Sequence, residues 1–345
     1  MRSWEAIARA AERHDLLPAL WPAVTGLGGQ NAVPATVARR SEEHHRRNRV
    51  RNLLLRRQLV HVTRTLNGVG IEPLVLKGGT SIVQPLFPDP GARYMADLDL
   101  MLRPDQLAPA GRALTSLGYE ERPWRFNDFS GPAHDSPFFM DGQPGPVELH
   151  GELGPSSVAG VLPAAAVWEQ AVPSEADGTR LWLPSPTHLV LHNVLHAQVH
   201  SRGHAVGALP LRDLYTLAWI VHRHGHEVDW DEVVERLRRQ GLERVLCSHL
   251  FMAQCLLGVP MPGHLKRSVG AVVHLIRVGM YAALEFPEDL ERRIRLAFES
   301  EYMGHLYGPF DRRAALNGAR ARHAARLIWG CVRRERRAHG AGARW

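Results

Sequence analysis

Lysine is almost missing from this chain. Of 42 basic residues only Lys77 and Lys266 are lysines and the rest are arginines, against 35 acidic residues, for a net charge of +7. Cysteine is scarce as well: Cys247, Cys255 and Cys331 have no zinc-site spacing, and the first two, on one apolar helix, are expected as buried thiols. Long apolar runs are absent, since no stretch reaches the roughly eighteen residues that a membrane span needs. The opening Met1-Arg2-Ser3-Trp4-Glu5 leads into an amphipathic pattern, not an apolar signal segment. These absences set the expectation of a soluble, cytoplasmic protein with no membrane partner. Internal repeats and low-complexity tracts are missing too, apart from Gly-Ala-Gly-Ala at 340–343.

What remains is a chain of 345 residues and 45% hydrophobic content, enough for a sizeable core in two domains or one elaborated domain. Its arginines cluster at Arg39-Arg40, at Arg46-Arg47 and in the tail Arg333-Arg334-Glu335-Arg336-Arg337. Such clusters read first as solvated faces, which leaves RNA possible but not favoured as a partner.

Against that background one stretch stands out: Leu74-Val75-Leu76-Lys77-Gly78-Gly79-Thr80, followed by Met95-Ala96-Asp97-Leu98-Asp99-Leu100-Met101. On a strand Asp97 and Asp99 share one face, while Ala96, Leu98 and Leu100 point into the core. Two carboxylates on one face of an apolar strand repel each other and are costly to desolvate unless a cation lies between them. Hard oxygen donors suit Mg²⁺ or Mn²⁺, with substrate phosphates completing the shell. The Gly78-Gly79 turn opens a short helix from Thr80, whose free amides suit phosphate. An Asp-x-Asp pair alone is common on solvated strand edges. Its pairing with the glycine turn, and with a lysine kept where arginine is otherwise the rule, points to one metal and phosphate site.

These residues resemble the polymerase-beta-type nucleotidyltransferase superfamily. Leu76-Lys77-Gly78 with Arg93 and Asp97-Leu98-Asp99 is more closely similar to the family called uncharacterised nucleotidyltransferase, and the Gly-Gly-Thr turn resembles the nucleotidyltransferase toxins of abortive-infection systems. The gap from Gly79 to Asp97, with Pro85, Pro88, Pro90 and Gly91 in it, is longer than the usual superfamily pattern. The resemblance implies an α+β fold: a polymerase-beta-like core of a small mixed sheet with helices, at 70–185, between an N-terminal helical region at 1–69 and a helical C-terminal domain at 186–345. It also implies a third carboxylate on a strand beside the Asp-x-Asp strand. In Pro146-Val147-Glu148-Leu149-His150, Glu148 is that candidate, as second metal ligand or general base, and His150 matches the histidine that follows this acid in the family.

Helices are expected over 4–24 and 36–68, then strand 74–77, and a helix from about Gln106 to Leu117 closed by Gly118. Beyond Gly178 the chain reads as helical, starting at Ser185-Pro186-Thr187. His192 and His196 lie four apart on one face, with His188, His200 and His204 nearby. Without a carboxylate at zincin spacing they read as polar positions near the substrate cleft, not as a zinc site. His196, Arg212-Asp213-Leu214 and Asp229-Trp230 continue the family resemblance. The cysteine-poor end, with a basic helix over 319–337 and a join near Pro309-Phe310, carries no recognisable chemistry.

The expected activity is metal-dependent nucleotidyl transfer from a nucleoside triphosphate to an acceptor on a small molecule, peptide or protein, with release of pyrophosphate. Catalysis and metal binding fall to Asp97, Asp99 and Glu148, and the triphosphate to Lys77, Gly78, Gly79, Thr80 and Arg93. On the acceptor side stand His150, His192, His196, Arg212 and Asp213. Two other classes stay open: an RNA-modifying nucleotidyltransferase toxin, and a nucleotide-binding protein without turnover.

Overall fold

The computed structural model describes residues 3–26, 28–122, 137–263, 265, 268–283, 298, 303 and 315–325. Lys266, Cys331, Pro309-Phe310 and the arginine tail at 333–337 lie outside the described residues. The chain divides into two compact units, one of Met1–Arg122 and His134–Gly279, the other of Pro123–Ala133 and Met280–Trp345. Within the second, Arg320 Nε donates to the Phe298 carbonyl at 2.8 Å and the Phe298 ring meets His323 edge-on.

In order, the elements are α1 (Trp4–Arg13), α2 (Leu17–Gly26), α3 (Ala35–Gly68), β1 (Leu74–Val75), α4 (Lys77–Val83), β2 (Leu98–Met101), α5 (Leu107–Ser116), β3 (Glu120–Glu121), β4 (Phe138–Phe139) and β5 (Val147–His150). Then come α6 (Ser156–Ala159), α7 (Ala164–Glu169), β6 (Val172–Ala176), β7 (Thr179–Leu183), α8 (Pro186–Val194), α9 (Gly203–Val206), α10 (Leu211–His224), α11 (Trp230–Arg239), α12 (Glu243–Leu257) and α13 (Val269–Ala282).

The seven strands form one mixed sheet in the order β3-β4-β5-β2-β1-β7-β6. β2 runs antiparallel to β1 and parallel to β5, in a register that sets Asp99 against Glu148 and Met101 against His150. Strand alternation then sorts the side chains into two cores. Val75, Leu98, Leu100, Val147 and Leu149 pack against Leu55, Leu59 and Leu66 of α3 and Leu114 of α5. Leu74, Leu76 and Met101, on the other side, pack with Val190 and Leu191 of α8, Leu214 and Leu217 of α10, and Leu250 of α12. Asp99, Glu148 and His150 therefore share the face that the later helices cover.

Several boundaries differ from the expected ones. The single helix over 4–24 is two, because α1 ends in a left-handed Asp15 (φ +56°) with the Asp15 amide bonded to Glu12 O and the Leu16 amide to Ala11 O. The strand at 74–77 stops at Val75, and Lys77 (φ +47°) already opens α4. The chain after Gly178 is not yet helical: Asp177 and Gly178, both at positive φ, turn β6 into β7, pairing Ala176 with Thr179. That is the two-residue Asp-Gly hairpin turn, where the left-handed φ of Gly178 is free of steric penalty. Helix α8 starts at the expected place, with Ser185 Oγ accepting from the His188 amide at 3.3 Å. Cys247 is buried as expected, but Cys255 is exposed.

The long connection between α4 and β2 is held on both sides. From α3, Asn48 Nδ2 donates to Gly91 O (2.8 Å) and Arg93 O (2.9 Å), and Asn52 Nδ2 to Pro90 O (2.6 Å) and Arg93 O (2.8 Å). Arg51 Nε donates to Met95 O at 2.8 Å. From α10, Tyr215 stacks on Phe87 with centroids 5.5 Å apart. Three prolines and a glycine make a segment with no ladder of its own, so its carbonyls take side-chain donors instead. Asn52→Ala should leave the Pro90 carbonyl without a protein donor and cost about 1–3 kcal/mol. Urea unfolding measures this, and a variant as stable as the parent would show the clamp to be dispensable.

Candidate active site

The site grows from two adjacent strand ends and one turn. Leu98 and Leu100, fully buried, fix β2 so that Asp99 projects to the opposite face with 2% of its surface exposed. Asp97 lies one residue before β2 and is half-buried. On β5, Val147 and Leu149 do the same for Glu148 and His150, both buried.

Two groups converge on Asp99. Lys77 Nζ donates to Asp99 Oδ1 at 2.6 Å, and His150 Nε2 lies 2.9 Å from the same oxygen. His150 Nε2 is also 3.6 Å from Glu148 Oε2. The left-handed backbone of Lys77 brings its ammonium over the strand ends. Gly78 has to be glycine there, because a Cβ would stand 2.5 Å from Arg93 Nη1 and 2.7 Å from Met95 Cγ. Thr80 Oγ1 donates back to Lys77 O at 2.8 Å, and the Gly79 amide to Leu76 O at 3.1 Å, which closes the turn on itself.

The electrostatics follow from packing three carboxylates against few cations. Burial works against the Asp99 carboxylate, yet Lys77 and His150 hold it well below the usual range. Burial would likewise lower the Lys77 ammonium, but Asp99 with Asp97 and Glu148 raises it. Asp97 is pushed up, first by burial and then by Asp99. Glu148, with Asp99 and Asp97 as neighbours, is pushed up to about 7, chiefly by burial. Arg93 falls to about 10 through burial and the nearby Arg212. Its Nε donates to Thr216 Oγ1 of α10 at 3.2 Å and its Nη1 to Tyr94 O at 3.1 Å.

Lys77, Arg93, Asp97, Asp99, Glu148 and His150, separated in sequence, thus share one charge cluster. The helices that cover it carry the expected histidines. His192, buried, is held well below its ordinary range by burial first and then by Lys77 and His196. For His196 burial leads again, followed by Lys77 and His200. The chain from Leu195 to His200 is a π-helical turn, which departs from the simple i, i+4 face. The His196 and His200 rings stack with centroids 5.6 Å apart, and His196 meets His192 edge-on at 6.3 Å. Asp213 Oδ1 lies 3.9 Å from His196 Nδ1, and Asn193 Nδ2 donates to the Asp213 carbonyl at 3.0 Å. Arg212 points elsewhere, with Nη1 donating to Asp15 at 2.9 Å, although its charge is felt at Arg93, Asp97 and His196. His188 belongs to a different place, 3.5 Å from Glu232 on α11.

The donor set fits a divalent cation. One ligand atom each from Asp99, Glu148 and His150, all buried, lie within 4.8 Å of one another. Asp97 is outside that trio, and His150, expected on the acceptor side, is inside it. The asparagines of α3 that hold the Arg93 loop were also missed. Their only signal was polar residues at 48 and 52 on a helical face shared with Leu55 and Leu59.

A glycine turn under a lysine thus faces Asp99 on the next strand, with Glu148 paired beside it and Asp97 just before the strand. Residues 1–258 match the family described as uncharacterised nucleotidyltransferase, and the chain belongs to that family. It is accordingly a nucleotidyltransferase enzyme. No curated protein and no solved structure matches the chain. Among the described residues no helix is long and apolar enough to cross a membrane.

The crowding at Glu148 has a measurable consequence. Its pKa is higher in the folded chain than in the unfolded one, so the stability it contributes is present at acid pH and lost as pH rises through about 7. In metal-free buffer Glu148→Gln should flatten this part of the stability profile, by an amount on the order of a few kcal/mol. Parallel melting profiles for both proteins from about pH 5 to about pH 8 would contradict the charge crowding.

Proposed function

We propose that this enzyme transfers a nucleotidyl group from a nucleoside triphosphate to an acceptor hydroxyl or phosphate oxygen in a metal-dependent reaction, on a polymerase-beta-like core. The observation that carries this reading is the buried cluster of Lys77, Asp99, Glu148 and His150, with Asp97 at its edge, under the covering helices. A fold without function would hardly keep three acids on a face that strand alternation could fill with apolar side chains. The acceptor oxygen attacks the α-phosphorus, the bond to the β-phosphate oxygen breaks, and pyrophosphate leaves.

A Mg²⁺ or Mn²⁺ ion held by Asp97, Asp99 and Glu148 would supply positive charge at the reacting phosphate. Lys77 and Arg93 neutralise the triphosphate, while the turn of Gly78, Gly79 and Thr80 brings the backbone close to it. The alternative role for Glu148, where it does not hold the ion, is to take the proton that the acceptor hydroxyl gives up, for which a pKa near neutrality suits it. His192, His196 and Asp213, uncharged imidazoles beside a carboxylate, line the acceptor side.

The test is incubation with each labelled nucleoside triphosphate and Mg²⁺ or Mn²⁺, with small molecules, peptides, protein extract or RNA as acceptors. Label should move to a non-RNA acceptor with pyrophosphate release, and chelation should stop it. Asp97→Asn and Asp99→Asn should each lower transfer by about a hundredfold or more without unfolding the chain. Full transfer in both variants would sink the assigned site. His196→Ala and Asp213→Asn should slow transfer while leaving triphosphate binding unchanged, as expected when one set of residues holds phosphate and another positions the attacking group. Label appearing on RNA ends would select the toxin reading, and nucleotide binding with no pyrophosphate release the non-catalytic one.

A further inference from the structure

We propose that His150 is itself a metal ligand, and that with Asp99 and Glu148 it forms a mixed nitrogen and oxygen site that takes Mn²⁺ in preference to Mg²⁺. The inference rests on the metal-dependent reading above and adds the identity of the ion. Its basis is the position of one atom. Nε2 of His150 sits between the two carboxylates, 2.9 Å from Asp99 Oδ1 and 3.6 Å from Glu148 Oε2, so the nitrogen and not the ring edge faces the donor cluster. β5 fixes it there, because His150 follows Glu148 by two residues on the same strand face and its backbone pairs with β2 at Met101.

Ion chemistry decides between the candidates. Mg²⁺ demands a near-octahedral oxygen shell and keeps several of its waters, so a buried imidazole wedged among its carboxylates is a poor match. Mn²⁺ takes the same carboxylate and phosphate oxygens as Mg²⁺ and, as the first ion of the divalent transition series, also tolerates an imidazole nitrogen and a less regular shell. A second imidazole supports the same choice: Nε2 of His192 is buried with no protein partner, and the charges acting on that ring include Lys77, Asp99 and His150. An all-oxygen Mg²⁺ site has no use for two imidazoles. Lys77 supplies the positive charge at Asp99 Oδ1; an ion held by Asp99 would supply that charge instead and leave the ammonium available to the triphosphate.

Pulsed electron paramagnetic resonance on the full-length protein with Mn²⁺ alone tests this without any turnover. Bound Mn²⁺ should show modulation from a directly coordinated imidazole nitrogen, and growth with ¹⁵N-histidine should convert it to the ¹⁵N pattern in the unaltered chain. In His150→Gln the modulation should weaken, and with His192→Gln added it should vanish. Since loss of even an outer partner of a ligand costs about 10–100-fold in affinity, Mn²⁺ binding should weaken at least about tenfold. Competition by Mg²⁺ should change little in that variant in absolute terms, so that the preference disappears. Mn²⁺ bound without nitrogen modulation, or Mg²⁺ displacing it at equal concentration from the unaltered protein, would overturn the proposal. If that happens while transfer proceeds with Mg²⁺, the enzyme reading stands; if no divalent ion binds at all, both fall.

Discussion

The ion pair between Lys77 and Asp99 is the constraint on which the rest of the site depends. Three carboxylates stand on one face of a sheet whose opposite face is filled by leucine and valine, and the covering helices remove most of the water that would screen them. A buried charge without a partner is far more costly than a buried pair, so the nearest cation decides which acid stays ionised. Lys77 and His150 settle that for Asp99, and Glu148 is left to bear the crowding. In the helices above, burial first and then the same ammonium depress His192, His196 and His200. A single point charge on a left-handed turn thereby acts on groups on both sides of the cleft.

Lysine suits this position better than arginine. The ammonium is compact and reaches one carboxylate oxygen at 2.6 Å, whereas a planar guanidinium presents a wider fork suited to bidentate pairing. Arg93 does what an arginine does well: it is anchored by Thr216 on one side and by the backbone at Tyr94 on the other, and holds its charge when buried. The near absence of lysine elsewhere in the chain is thus matched by a geometric reason for keeping it here.

Much of this was legible in the sequence because strands write their faces with period two. Asp97-Leu98-Asp99 and Val147-Glu148-Leu149-His150 declare by alternation which side chains face the core and which face the site, and the register between them adds the pairing of Asp99 with Glu148. The pairing itself could come only from the family resemblance, since nothing local in residues 97–150 says which strands will be neighbours. What stayed hidden has other causes. The Asp177-Gly178 turn is a strong hairpin signal, but two residues weigh little in the pattern beside the longer helical run that follows. The π-helical turn at Leu195–His200 arises from packing and has no local code, so the histidines were placed on an ideal helix. The role of Asn48 and Asn52 depends on carbonyls of a distant, proline-rich loop, and periodicity reports only that they are inward.

The pairing of β1 with β7 has a consequence for the order of events during synthesis. Leu74 lies beside Trp182, with the strands bearing Asp99 and Glu148 and all of α5, α6 and α7 made in between. Contacts so distant in the chain carry a loop-closure cost that must be met before they return any stability, and they form late. A ribosome that has released only the glycine turn and the paired acids holds a segment with exposed carboxylates, free to stay hydrated. Dehydration of those acids waits for the helices that begin at Pro186, so the cleft closes around its charges only once the chain that must cover them has been made.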